Sequence, residues 1–450
     1  MSQDPSPSDR PRVSAPAALG YLCLTVALSV GVVLVVRQTR TTARARVLDQ
    51  ELTAHEARLR AQRFERPAVT DEGSPAGCDS VLDAVQALPD LSGEREALAG
   101  LQTLLLRATA APPPVLALLS RHDAALDGFL RAARCRQVRV SGATSLSAPN
   151  PRYGELLRGS GLVALRDRDG DPARCLDSMA AVTRILSDMP YAAGFLGLAM
   201  GAVPMEAVAS VTLRCARRAE PAAVALAQRR FAALGTPPLP EGEVLVFEGL
   251  ATVRPIRDIV FSVPVFPTDA DSLQAWWHRP RFVQGWAELT EGLSTLPART
   301  VTPVDTLDRL EEVDRILARI SPAFAGASTG GRFVERGRGG HARIRLLAVA
   351  LDALARPRPG PDPAALPMPD LRAPWARDPF TTRDTLRWVR NHTGSFVASS
   401  VGPNGLDDRG GNDDILVTVP GPPGTPERSE RGHDHGHDHG TTPGTAPGVP

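Results

Sequence analysis

Near its C-terminal end the chain carries GPNGLDDRGGNDDIL, Gly402 to Leu416, with four aspartates, two asparagines and four glycines. Carboxylates and amides this close suit a hard cation. Calcium takes about six to eight oxygens, and glycines let a chain curl so that backbone carbonyls join the side chains. Asn404, Asp407, Asp408, Asn412, Asp413 and Asp414 are therefore the candidate calcium ligands. Arg409 is the one cation inside the run, so without a metal the four negative charges repel one another. The loop is not an EF-hand, which needs alternating acids, a central glycine and a terminal glutamate. The alternatives are an uncoordinated polar turn and a loop that keeps the fold without the metal.

A second metal chemistry lies in HDHGHDHG, where His433, His435, His437 and His439 could gather zinc, nickel or copper. The surrounding Pro, Gly and Thr cannot build a core, so this is a disordered tail with loose scavenging or a passive, solubilising role. His55, His122, His278 and His341 stand alone, and there is no Walker loop, GxSxG or HExxH. This favours a non-enzyme. The alternative is an enzyme whose site is dispersed over Arg, Asp and His residues of the helical body. Cys78, Cys135, Cys175 and Cys215 are an even set, suited to two disulfides in an oxidising compartment. Three pairings are open; Cys175 with Cys215 is favoured because the intervening chain could fold back around Pro190. Four separate buried thiols are the alternative.

The elements that must position these groups begin with AALGYLCLTVALSVGVVLVV, Ala17 to Val36, twenty residues without a charge. That length spans a bilayer core of roughly 30 Å. Its length and the lack of a nearby cleavage site favour an anchor over a signal peptide. Arg37, Arg40, Arg44 and Arg46 follow it and favour a cytoplasmic body by the positive-inside rule; the cysteines and the acidic loop favour the opposite side. All 51 basic residues are arginines against 50 acids, and this balance gives no case for nucleic acid. Thr41 to Glu65 reads as a solvated helical stalk or weak coiled coil, with Val47, Leu48, Leu52 and Leu59 as a thin apolar stripe. Beyond Cys78 come helices split by proline-bearing turns. Asp171 fits an N-cap before Pro172, with Leu176, Met179, Val182 and Leu186 on one face. Trp276, Trp277 and Trp286 read as core, with a partner surface as the alternative. GRFVERGRGG, Gly331 to Gly340, reads as a mobile loop before a last helix whose apolar face holds Ile344, Leu347, Leu351 and Leu354. The pattern then turns to strands: Leu386 to Asn391, Ser395 to Val401 and Ile415 to Val419.

The order Asp378-Pro379-Phe380, Ser400-Val401-Gly402, the acidic loop and Asp414-Ile415 resembles the C-terminal region of the major pseudopilins of type II secretion. The resemblance implies a calcium-binding loop between strands, with Asn404 standing where the family has an aspartate. It covers about forty residues, Asp378 to Val419. A closer likeness is to bacterial membrane-anchored envelope proteins that join one span, an α-helical body and this same ending. The chain lacks the pseudopilin processing site: no acid follows Gly20-Tyr21 before Asp49.

The expected fold is mostly α, with one transmembrane helix, a helical-hairpin body, a small antiparallel β-module and a disordered tail. Its divisions are an N-terminal tail (1–16), the span (17–36), stalk and linker (37–77), body (78–356), a Pro-rich linker (357–377), the pseudopilin-like module (378–420) and the His/Asp-rich tail (421–450). The expected role is an extracytoplasmic scaffold or interaction protein of the bacterial envelope, anchored in the inner membrane with a periplasmic body. Its partners would be the membrane and envelope proteins, with a link to secretion or pilus-like machinery. A cytoplasmic-facing membrane adaptor is a further alternative.

Overall fold

The computed structural model describes residues 15–61, 63–67, 73–139 (without 76, 99 and 108), 153–237, 241–264, 268–299, parts of 308–319, 330–357, 366–403 (without 382–383 and 392–394) and 414–419. In chain order these form α1 (Ala15–Ala61), β1 (Arg63–Glu65), α2 (Ser80–Ala87), α3 (Arg95–Leu98), α4 (Leu101–Arg107), α5 (Pro113–Ala132), β2 (Gln137–Arg139), α6 (Tyr153–Asp167), α7 (Pro172–Ala202), α8 (Met205–Arg218), α9 (Pro221–Gly235), α10 (Glu241–Ser262), α11 (Ala270–Arg299), a central helix here called α12 (Gly330–Ala355), and strands β3 (Arg387–Arg390), β4 (Phe396–Ser400) and β5 (Ile415–Val419). The molecule is mostly helical with a small antiparallel sheet, as the composition implied.

Local signals explain many boundaries. Asp171 accepts hydrogen bonds from the backbone N–H groups of Ala173 and Arg174, and Pro172 follows at the first helical position. Leu176, Met179, Val182 and Leu186 are then all buried. The chain reverses inside α7 at Gly194, whose φ of 57° lies in the left-handed region. Gly197 and Gly201 let the returning stretch lie against the carbonyls of Met189 and Leu186. The hairpin thus turns four residues beyond Pro190, and it brings Cys175 and Cys215 to a Cα separation of 6.2 Å. Cys78 and Cys135 form the other bridge, with Cα atoms 5.5 Å apart. Both pairs lie within disulfide reach, and Cys175–Cys215 is the pairing the sequence favoured.

Three expectations are corrected. Gly331 to Gly340 is no loop: it forms the first turns of α12. Glycine disfavours an isolated helix, but here the helix passes so close to α7 that a Cβ on Gly340 would lie 2.8 Å from that of Ala202. Arg338 also forms a bidentate pair with Glu241 of α10, both contacts 2.7 Å. Second, α12 is buried on every side from Ala342 to Ala353 apart from a few positions, rather than along one stripe. Third, the segment after the span is not a solvated stalk. Ala45, Leu48 and Leu52 are buried against α10 and α11 with Val253, Ile256, Val260, Val283 and Trp286. Trp276 and Trp286 are core as expected, whereas Trp277 is exposed.

Among the described residues, two helical stretches are long and apolar enough to cross a membrane. Leu196–Arg218 is mostly buried in the core, while none of the apolar window of Leu19–Arg58 is buried. The exposed row from Leu19 to Val36 makes the N-terminal helix a candidate membrane span or signal sequence.

Candidate functional site

The C-terminal module is a three-stranded antiparallel sheet in the order β3-β4-β5. Its strands fall within a residue or so of the sequence reading. Phe396, Ala398 and Ser400 on β4 and Ile415, Val417 and Val419 on β5 are buried, and they join the same core as α12. The alternation by two is what a sheet covered on one face requires. Trp388 stacks on Phe396 with ring centroids 5.3 Å apart. This core is continuous with that of the helical body.

The acidic run is the β4–β5 connection, and both of its feet are held. Ser400 pairs in register with Ile415. Asp378, buried and outside the sheet, accepts the Ser400 hydroxyl (2.9 Å) and the Phe380 N–H (3.0 Å) on Oδ1, and the Val401 N–H (2.9 Å) on Oδ2. One carboxylate thus ties the Asp-Pro-Phe turn to the strand end that launches the loop. Gly402, at φ 69°, makes the next bend. Asp414 is described at the foot of β5; Asn404, Asp407, Asp408, Asn412 and Asp413 lie outside the described residues, as do His433, His435, His437 and His439.

The module is also fastened from below by Arg345 of α12. Its Nε donates to the Gly235 carbonyl (2.7 Å) and its Nη1 to that of Arg377 (2.6 Å). Burial pulls this guanidinium down to about 10, with Asp378 opposing the shift. Beside it, His341 is fully enclosed. Burial first, and then the nearby Arg345 and Arg66, push its pKa well below the usual value.

A second polar centre escaped the sequence reading. Asp188 on α7 is completely buried between two arginines: Arg66 Nε at 2.8 Å and Arg184 Nε at 2.6 Å. Ser80 at the start of α2 donates to the same carboxylate at 2.6 Å. Arg184 also donates to the carbonyls of Pro67 and, at 2.9 Å, Cys135. Burial lowers Arg184 more than Asp188 raises it; at Arg66 the pull of Asp188 and Tyr191 outweighs burial. The one legible signal was Arg184 and Asp188, i and i+4 on the otherwise apolar face of α7. With its oxygens taken by three donors, Asp188 reads as a structural hub joining β1, α2 and the Cys78–Cys135 bridge. Cys78, Asp83 and Cys135 bring their ligand atoms within 4.8 Å of one another. In the bridged form neither sulfur is a thiolate, so this trio offers a metal only the Asp83 carboxylate.

A third feature lies where α1 leaves its apolar stretch. A groove of about 540 Å³ opens between α1 and α11, walled by valines at one end and arginines at the other. No protein-family model, curated protein or solved structure matches the chain, so the pseudopilin resemblance rests on its motifs alone.

Proposed function

We propose that the chain is a membrane-anchored, extracytoplasmic scaffold or interaction protein of the bacterial envelope, with a calcium-stabilised C-terminal loop. The observation that carries this reading is the conjunction of a wholly exposed apolar helix with two cystine pairs in the body behind it. Disulfides persist in oxidising compartments, which favours a periplasmic body. The held feet of the acidic loop support the calcium reading, since a hinge fixed at both ends limits the ordering a cation must impose. The link to secretion or pilus-like machinery comes from the Asp-Pro-Phe and Asp-Ile resemblance. The experiment is topological. In spheroplasts, an externally added protease should digest the body of the full chain, and thiol labelling without reductant should reach none of Cys78, Cys135, Cys175 and Cys215. Protection from protease with four labelled thiols would instead support the cytoplasmic adaptor, which the arginines after the span favour.

A further inference from the structure

The groove beside the membrane span has the chemistry of a lipid site. Its upper wall is Val32, Val33 and Val36, all exposed and within the span; its lower part carries Arg37, Arg40 and Arg44. These three arginines make no ion pair among the described residues. The contrast with their neighbours is informative. Arg254 and Arg257 of α10 are neutralised by Glu56 and Asp49 of α1, one turn or more further from the span. Arg37, Arg40 and Arg44 thus leave positive charge uncompensated at the level where an apolar wall meets water.

The opposite wall is α11, and its placement is set by contacts along α1. Gln38 Nε2 donates to the Trp276 carbonyl at 2.7 Å, and Val283 and Trp286 pack with Ala45, Leu48 and Leu52. Hence α11 runs parallel to α1, and its first residue stands about 9 Å further towards the span than Trp276 at 1.5 Å per residue. Leu273 and Trp277, 51% and 55% exposed, lie on this leading end. An exposed tryptophan beside an exposed leucine at that level is the signature of a membrane–water interface.

We propose that this groove holds an anionic phospholipid, its phosphate on Arg37, Arg40 and Arg44 and an acyl chain along Val32, Val33 and Val36, with Leu273 and Trp277 entering the interface beside it. The proposal rests on α1 being an inserted span. It follows that the arginines after the span serve to seat the body on the bilayer, and not only to orient it.

The test uses the full-length chain, purified in mild detergent, delipidated, and titrated with phosphatidylglycerol or phosphatidylcholine while bound lipid is counted by native mass spectrometry. One phosphatidylglycerol should be retained in preference to phosphatidylcholine. Replacing Arg37, Arg40 and Arg44 together by alanine should weaken it on the order of a hundredfold. Arg46→Ala, off the groove on the same helix, should leave it unchanged, and millimolar inorganic phosphate should not displace it. Val33→Asp gives a second variant that blocks the acyl wall and keeps the arginines. Equal retention of both lipids, full retention by the triple variant with an unchanged helical spectrum, or displacement by free phosphate would overturn the proposal. Carbonate extraction of the same chain separates the two readings: a soluble chain sinks the anchor itself, whereas an integral chain without lipid preference sinks only this site.

Discussion

At the scale of residues, the buried charges are the sharpest points of leverage. Asp188 holds two guanidinium groups that have no water to fall back on. Asp188→Ala leaves both uncompensated, and should lower stability by about 3–5 kcal/mol, read as a fall in denaturant midpoint. Replacing Arg66, the more peripheral partner, should cost less, because Arg184 still neutralises the aspartate. His341 gives a pH signature. Its folded-state pKa lies below the unfolded value, so at acidic pH the unfolded chain takes up a proton that the folded chain does not. Stability is therefore undiminished above about pH 6.5 and falls as pH drops below it, by about 1.4 kcal/mol per pH unit from this group. His341→Gln should flatten that part of a stability–pH curve. An unchanged slope would mean that other groups set the acid sensitivity.

At the scale of elements, the α7 reversal is closed twice, by glycines at the bend and by a disulfide at its open end. The Cys175–Cys215 bridge spans 40 residues. Restricting a loop of that size in the unfolded chain stabilises the fold by about 3–4 kcal/mol on the chain-entropy account. Cys175→Ala with Cys215→Ala should lower the thermal midpoint by that equivalent while leaving the helical spectrum intact, because the surrounding core is apolar and continuous. The mate of this hairpin, α12, depends on close approach. Gly340→Leu would drive a side chain into the Ala202 backbone and Cβ, a clash worth about 1–3 kcal/mol, and differential scanning calorimetry should report it as a lowered midpoint.

At the scale of the molecule, one core runs from the helices through α12 into the β-module, so events at the acidic loop are felt as stability of the whole chain. If calcium ties the loop between β4 and β5, millimolar calcium should raise the thermal midpoint of the full-length protein. Magnesium, with its tighter octahedral demand, should do so less. Asp414→Ala, at the foot of β5, should remove most of the difference. Equal melting in calcium and in chelator would leave the loop an ordinary acidic turn. The body also packs directly against α1 just past its apolar stretch, through Gln38, Ala45 and Leu48.

Several features were legible in the chain alone, because short-range rules govern them. The long exposed apolar helix follows from twenty uncharged residues, the start of α7 from Asp171-Pro172, and the three strands from alternation between turn residues. Even the Cys175–Cys215 pair was within reach, since a hairpin midpoint near Pro190 differs little from the true bend at Gly194. Other features depended on neighbours that no local window contains. GRFVERGRGG has the composition of a loop, and it became helix only because Gly340 meets Ala202 and Arg338 meets Glu241. The thin stripe on α1 looked solvated until α10 and α11 covered it. Asp188 became a hub because β1 and α2 deliver Arg66 and Ser80 to a carboxylate far away in sequence. Local propensity is worth tenths of a kcal/mol per residue to about one, whereas breaking a buried ion pair costs about 3–5 kcal/mol; where the two disagreed, tertiary packing decided the structure.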